Sequence, residues 1–147
     1  MKLSLLTVAA LLAISATVVK GEPALTPLGR WVTESGNFEV DIAKCGDALC
    51  GTVVKVIANR SMSLGSAEMK PADTRPALGM TILTGVQPAG GGEFKGQVYN
   101  RENAKTYSAK ITPAKDGQLL VRGYVLLPLF GKTQVWRRPA PAAGAAQ

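Results

Sequence analysis

Between Gly29 and Arg138, apolar residues recur at alternate positions in runs of five to nine residues, and each run stops at glycine, asparagine, aspartate or proline. A period of two places every second side chain on the same side of a pleated strand, whereas an amphipathic helix needs a spacing of three to four. The region therefore reads as all-β, with strands expected at 29–33, 37–44, 51–58, 79–86, 94–99, 105–112, 118–126 and 132–138. Turns fall at Glu34 to Gly36, Gly46-Asp47, Gly90 to Gly92, Asn100 to Asn103, Lys115 to Gly117 and Pro128 to Gly131. Short strands joined mostly by tight turns favour an antiparallel up-and-down meander. Eight of them are enough to close into a barrel without free edges.

The alternation also assigns faces. In "KTYSAKIT" Tyr107, Ala109 and Ile111 share one side and Thr106, Ser108 and Lys110 the other. In "QLLVRGYVLL" Leu119, Val121, Val125 and Leu127 align, with Arg122 and Tyr124 opposite. Residues 59–78 are polar, contain two prolines and lack a period, so they form a long loop of the kind that often acts as a lid. The end of the chain, 139–147, is a low-complexity stretch expected to be disordered.

Ahead of this region, Lys2 precedes an apolar run broken only by serine and threonine, the pattern of a secretory leader. The run is shorter than the ~20 residues of a spanning helix. Small residues at Ala13/Ser15 and Val19/Gly21 suit a signal peptidase, and the second site is preferred: a leader over 1–21, a mature chain from Glu22 and one barrel domain over 22–138. The expected location is periplasmic or secreted, with no integral membrane segment after cleavage. The whole chain carries 17 basic and 10 acidic residues. Without Lys2 and Lys20 the balance is 15 against 10, about +5. The basic residues are scattered, with Arg137-Arg138 the sole adjacent pair, so no nucleic-acid tail is present.

Cys45 and Cys50 are the two cysteines, and in an oxidising compartment they read as a disulfide across a hairpin. Directly opposed residues of an antiparallel pair would sit close enough to be bridged. A zinc site needs further ligands, and the chain has no histidine. A thioredoxin-like centre needs two intervening residues rather than four.

The missing histidine also removes serine–histidine and cysteine–histidine nucleophiles and the commonest proton shuttle. Glu39 and Asp41 alternate on the polar side of a strand, and Glu34, Asp47, Glu102 and Asp116 lie at turns, so no carboxyl pair is set for glycoside hydrolysis. Gly90 to Gly92 lacks the helix and Lys-Ser/Thr of a phosphate loop. The expectation is a non-enzymatic protein without metal or cofactor.

Taken in order, "CGDALCG", "KTYSAK", "LVRGY" and "LFGKTQVWRR" resemble the domain of unknown function 2147 family of small exported bacterial proteins, over Leu28 to Arg138. The resemblance implies an envelope protein with a lipocalin-like, calycin-type barrel, and no established activity. Asp73 and Arg75 remain of a stretch that in the family is richer in Asp and carries Asn-Pro. Phe94 replaces a common Trp, and Ala104 and Leu126 replace frequent glycines. "GRW" at 29–31 is also similar to the Gly-x-Trp opening of lipocalins, in which a basic residue of the last strand covers the tryptophan. Trp31, Trp136 and either Arg137 or Arg138 are the residues expected to close the barrel in this way, through a cation–π contact.

Two functions are consistent with these features. The first is a carrier or sensor that holds a small apolar or amphipathic ligand in a continuous lumen, its polar end oriented by Arg75, Tyr99, Tyr107, Arg122 or Tyr124. Each of these has a plainer alternative as a core tyrosine or a surface arginine. The second is an envelope adaptor whose basic outer surface contacts anionic polymer, lipid headgroups or a partner protein.

Overall fold

The computed structural model describes residues 24–65 and 67–141, with Ala16, Val18 and Gly21. The expected leader, its cleavage before Glu22 and the end of the tail at 142–147 otherwise lie outside the described residues. Eight strands follow in order: β1 (Gly29–Val32), β2 (Phe38–Cys45), β3 (Ala48–Val56), β4 (Thr81–Gly90), β5 (Glu93–Asn100), β6 (Lys105–Ala114), β7 (Gln118–Tyr124) and β8 (Lys132–Arg137). Each pairs antiparallel with its neighbour in sequence, and β8 returns to β1 through Val32↔Arg137, closing the barrel. The β1–β2, β3–β4, β5–β6 and β7–β8 connections consequently emerge at one end, here called the mouth. Both chain ends leave at the base.

Alternation fills the interior as expected. Val40 and Ile42 of β2, Ala109 and Ile111 of β6, and Leu119 and Val121 of β7 point inward and are buried with Trp31, Leu83, Val86 and Trp136. The lumen is therefore packed toward the base rather than continuous, because branched side chains and two indoles occupy the space that eight strands enclose. At the base, the Arg138 guanidinium lies 3.7 Å from the centre of the Trp31 ring. Its two terminal nitrogens donate to the carbonyls of Arg30 (3.1 Å) and Leu28 (3.0 Å), and Trp31 Nε1 donates to Pro27 O (2.7 Å). Arg138 is thus the closing cation, while Arg137 belongs to the ladder, opposite Gln118 and Val32.

Two expectations need correction. Cys45 and Cys50 are bonded, with Cα atoms 5.6 Å apart, but they are not directly opposed: Cys45 faces Ala48, and Cys50 faces Ala43. The two-residue turn at Gly46-Asp47 sets this register, and the bond crosses it diagonally on one face of a twisted hairpin. Second, β7 ends at Tyr124, and Val125 and Leu127 are exposed instead of continuing the inner face of Leu119 and Val121. Leu126 adopts a left-handed φ of 68°, and Pro128 has no amide to extend a ladder, so the chain leaves the sheet two residues before the sequence pattern does.

Candidate functional site

Residues 57–80 run across the mouth as a lid, and buried polar side chains tie it to the hairpins beside it. Asn37, fully buried in the β1–β2 turn, treats Arg60 as a strand partner: its Nδ2 donates to Arg60 O and its Oδ1 accepts from Arg60 N, both at 2.8 Å. Within the lid, Asn59 and Met69 bond reciprocally at 3.0 Å.

Two carboxylates clamp the lid to the β5–β6 hairpin. Glu102, in that turn, accepts from Ser61 Oγ, from Ser63 Oγ (2.9 Å) and from Met62 N (3.0 Å). Asp73, in the lid and nearly buried, accepts from Arg75 Nη2 (2.5 Å) and from the Tyr99 hydroxyl of β5 (2.6 Å). Arg101 Nη2 donates to Arg75 O (2.9 Å), and Ala72 N donates to Glu102 O (2.9 Å). The Arg75 guanidinium, followed by the Tyr99 hydroxyl, holds the Asp73 carboxyl far below the usual carboxylate range against an opposing effect of burial. Arg75 and Tyr99 are correspondingly raised by Asp73. Ser61 leads the donors that lower Glu102.

Beneath the lid lies a cavity of about 60 Å³, lined by Phe38, Val53, Met69, Ile82, Val98 and Trp136 among others, room for a water or two rather than a ligand. Beside it, between the lid and the β5–β6 and β7–β8 hairpins, opens a cleft of about 450 Å³. Val98, Val121, Val125 and Phe130 give it apolar walls, and Asn103, Tyr107, Lys132 and Gln134 supply polar atoms. Met62, Val98 and Gln134 border both spaces. Gln134 spans from core to lid, accepting from Trp136 Nε1 at 2.9 Å and pointing its Nε2 at Met62 Sδ, 3.8 Å away. Gly123 leaves the cleft open: a Cβ there would meet Val98 at 3.4 Å and Tyr107 at 3.8 Å.

The residues singled out from sequence separate into three groups. Tyr107 and Tyr124 line the cleft, and Tyr107 Oη accepts from Asn103 Nδ2 at 2.8 Å. Arg75 and Tyr99 belong to the Asp73 clamp, and only Tyr99 borders the smaller cavity. Arg122 projects to the other face of β7, where it binds Pro128 O (2.5 Å), Thr133 Oγ1 (2.6 Å) and Leu129 O (3.3 Å), holding the β7–β8 loop. Sequence reasoning missed Asn37, Asp73 and Glu102 as fasteners and Met62 as a partition. A lone Asp or Asn in a turn gives no sign of a partner more than twenty residues away.

A closed eight-stranded antiparallel barrel with a Gly-x-Trp first strand, an arginine over that tryptophan and a covered mouth is a lipocalin-like fold. The chain belongs to the bacterial family described as "Uncharacterized protein conserved in bacteria (DUF2147)", whose profile matches residues 29–138. Among solved structures it is similar to protein HP1028 of Helicobacter pylori, described as belonging to the lipocalin family, with a TM-score of 0.59 and 18% identity over 79% of this chain and 84% of that one. No curated protein matches the chain. At this identity the structural likeness establishes the fold.

Proposed function

We propose that this protein is an exported, non-enzymatic binding barrel that takes a small amphipathic molecule into the mouth cleft. The observation that carries this reading is the cleft itself. Its volume of about 450 Å³ falls within the range of small-ligand pockets, and its apolar walls converge on Lys132, Tyr107, Asn103 and Gln134. The apolar part of a ligand would lie along Val98, Val121 and Phe130, and an anionic or hydrogen-bonding head would face Lys132 and Asn103. Asp73 and Glu102 are both committed to fastening the lid, which suits them to shaping a site rather than to acid–base chemistry.

The test pairs native mass spectrometry of the protein recovered from its own cells with a cleft-blocking variant. Gly123 lines the cleft, and a Cβ there stands at ordinary contact distance from Val98 and Tyr107, so Gly123→Leu is the cleft-blocking variant. A co-purifying lipid or metabolite bound to the wild type and absent from correctly folded Gly123→Leu supports the proposal. A ligand retained equally by both, or a bare polypeptide that also binds no fluorescent amphiphile, refutes it. The same mass gives the N-terminus, and export by the expected leader requires a shortened chain, starting at Glu22 for the preferred site or near Thr17 for the other.

A further inference from the structure

The β7–β8 connection is the most apolar exposed segment among the described residues. Leu126, Leu129 and Phe130 are 90%, 79% and 74% exposed, and Val125 and Leu127 are exposed beside them. Isolated exposed leucines are ordinary, but five large apolar side chains on one loop form a patch of the kind that marks a contact site. From this loop we infer that the protein docks on an anionic lipid bilayer by inserting the tip of the β7–β8 hairpin.

Three observations select a bilayer as the occupant. First, the loop meets much of its own backbone hydrogen-bonding need. The N–H groups of Leu127, Phe130 and Gly131 bond to carbonyls within the loop, and the Pro128 and Leu129 carbonyls accept from Arg122. Backbone groups without partners are what chiefly oppose entry into hydrocarbon. Second, the surroundings are cationic. Lys132 begins β8, and Lys105 begins β6, three positions past the Ser108↔Tyr124 pair and so level with the tip. From Lys105 onward the chain has a single carboxylate side chain, Asp116, and it lies at the base. Of the carboxylates at the mouth, Asp73 is paired with Arg75 and Glu39 with Arg30, and Glu34, Glu68 and Glu102 are outnumbered by Arg60, Lys70, Arg101, Lys105, Arg122 and Lys132. Basic residues next to an inserting apolar element are attracted by anionic headgroups. Third, the patch is a projecting tip of six residues, 125–130, whereas a stable protein interface takes roughly 20–30 residues a side. A second copy of the chain would be poorly held by it.

The left-handed Leu126 fits the same reading. Glycine would remove its backbone strain, yet a leucine stands there with its side chain almost wholly in solvent.

The experiment is co-sedimentation of the full chain, its N-terminus defined by mass, with vesicles of equimolar phosphatidylglycerol and phosphatidylcholine and with vesicles of phosphatidylcholine alone. Wild type is compared with Leu126→Ser/Leu129→Ser, with Leu126→Gly and with Lys105→Glu/Lys132→Glu. None of these changes alters the apolar N-terminal run, so the differences report the hairpin. The double serine variant is expected to partition about tenfold less well onto the anionic vesicles. The lysine variant should lose the preference for anionic over neutral vesicles. Leu126→Gly should bind more weakly while melting at a higher temperature, which separates docking from folding. Equal partitioning of wild type and the double serine variant overturns the inference. So does a wild type that ignores vesicles and self-associates through the same leucines. The tip and the cleft share Val125, Phe130 and Lys132, but Gly123→Leu, which removes ligand binding under the proposal above, changes no residue of the tip and neither lysine, so loss of the one activity is read separately from loss of the other.

Discussion

Gly96 and Gly123 both sit on the inner face of the barrel, yet they have opposite tolerance for a side chain. A Cβ on Gly96 would stand 2.7 Å from Thr84 O and 2.8 Å from Val86 Cγ2, and a strand carbonyl cannot swing aside as a flexible side-chain tip does. Gly96 is also paired with Ala109, fully buried, so the neighbouring strand offers no slack. Gly96→Ala is accordingly expected to destabilise the fold by about 1–3 kcal/mol, as overpacking of a dense interior does, seen as a lower urea midpoint with an unchanged slope. Gly123→Ala, placed only in ordinary contact, should shift the midpoint little. If the two variants melted alike, the packing at β5 would be looser than these distances require. Nothing in the sequence distinguishes these glycines, because each interrupts an alternating strand in the same way; the difference arises from the bulged β4 register between Thr84 and Gln87.

At the scale of the element, the lid illustrates where sequence reading stops. Its polarity and prolines marked residues 59–78 as a long loop, but order comes from partners such as Asn37 and Glu102 that only barrel closure brings near. The β7–β8 loop departs from the sequence pattern for a related reason. Val125 and Leu127 satisfy the strand period, and only the backbone turn at Leu126 and the proline after Leu127 show that they face solvent. The clamps make the lid sensitive to acid. Asp73 and Glu102 both titrate below their ordinary values in the folded protein, so each contributes stability that is complete above the unfolded pKa and is lost as pH falls. Loosening should begin below about pH 4 and grow as the pH approaches the lowered folded values. Amide exchange, corrected for intrinsic rates, should show Met62, Ala72 and Asp73 losing protection on acidification while the β5–β6 ladder holds. Asp73→Asn/Glu102→Gln should show a weakly protected lid already at neutral pH and a flatter response. A lid equally protected in that variant would mean that the Asn37–Arg60 pairing suffices.

For the whole molecule, the meander, strand positions and basal cation–π contact were legible because each follows from periodicity or from residues at the ends of strands. The strength of the closure was not. β2 and β3 pair along their full length, from Phe38↔Val56 to Cys45↔Ala48, and the disulfide reinforces the far end. The seam between β1 and β8 has the single ladder pair Val32↔Arg137, because β1 is short and turns away at Thr33. Side chains supply what the ladder lacks. Glu34 Oε1 accepts from Val135 N at 3.3 Å, and Arg138 bridges the carbonyls of Leu28 and Arg30 while stacking on Trp31. A cation–π contact adds ~1 kcal/mol and each of the two exposed hydrogen bonds about half as much, so Arg138→Ala should cost about 2 kcal/mol. Arg138→Lys should recover little of it, since a point charge cannot span both carbonyls and lie flat on an indole. The loss should also be local before it is global. In native-state hydrogen exchange the amides of β1 and β8 are expected to open at lower free energy than those of β2 and β3, with Arg138→Ala widening that gap. Exchange of all eight strands in one cooperative step, unchanged in order by the substitution, would show that the packed interior closes this barrel and that the arginine seam does not.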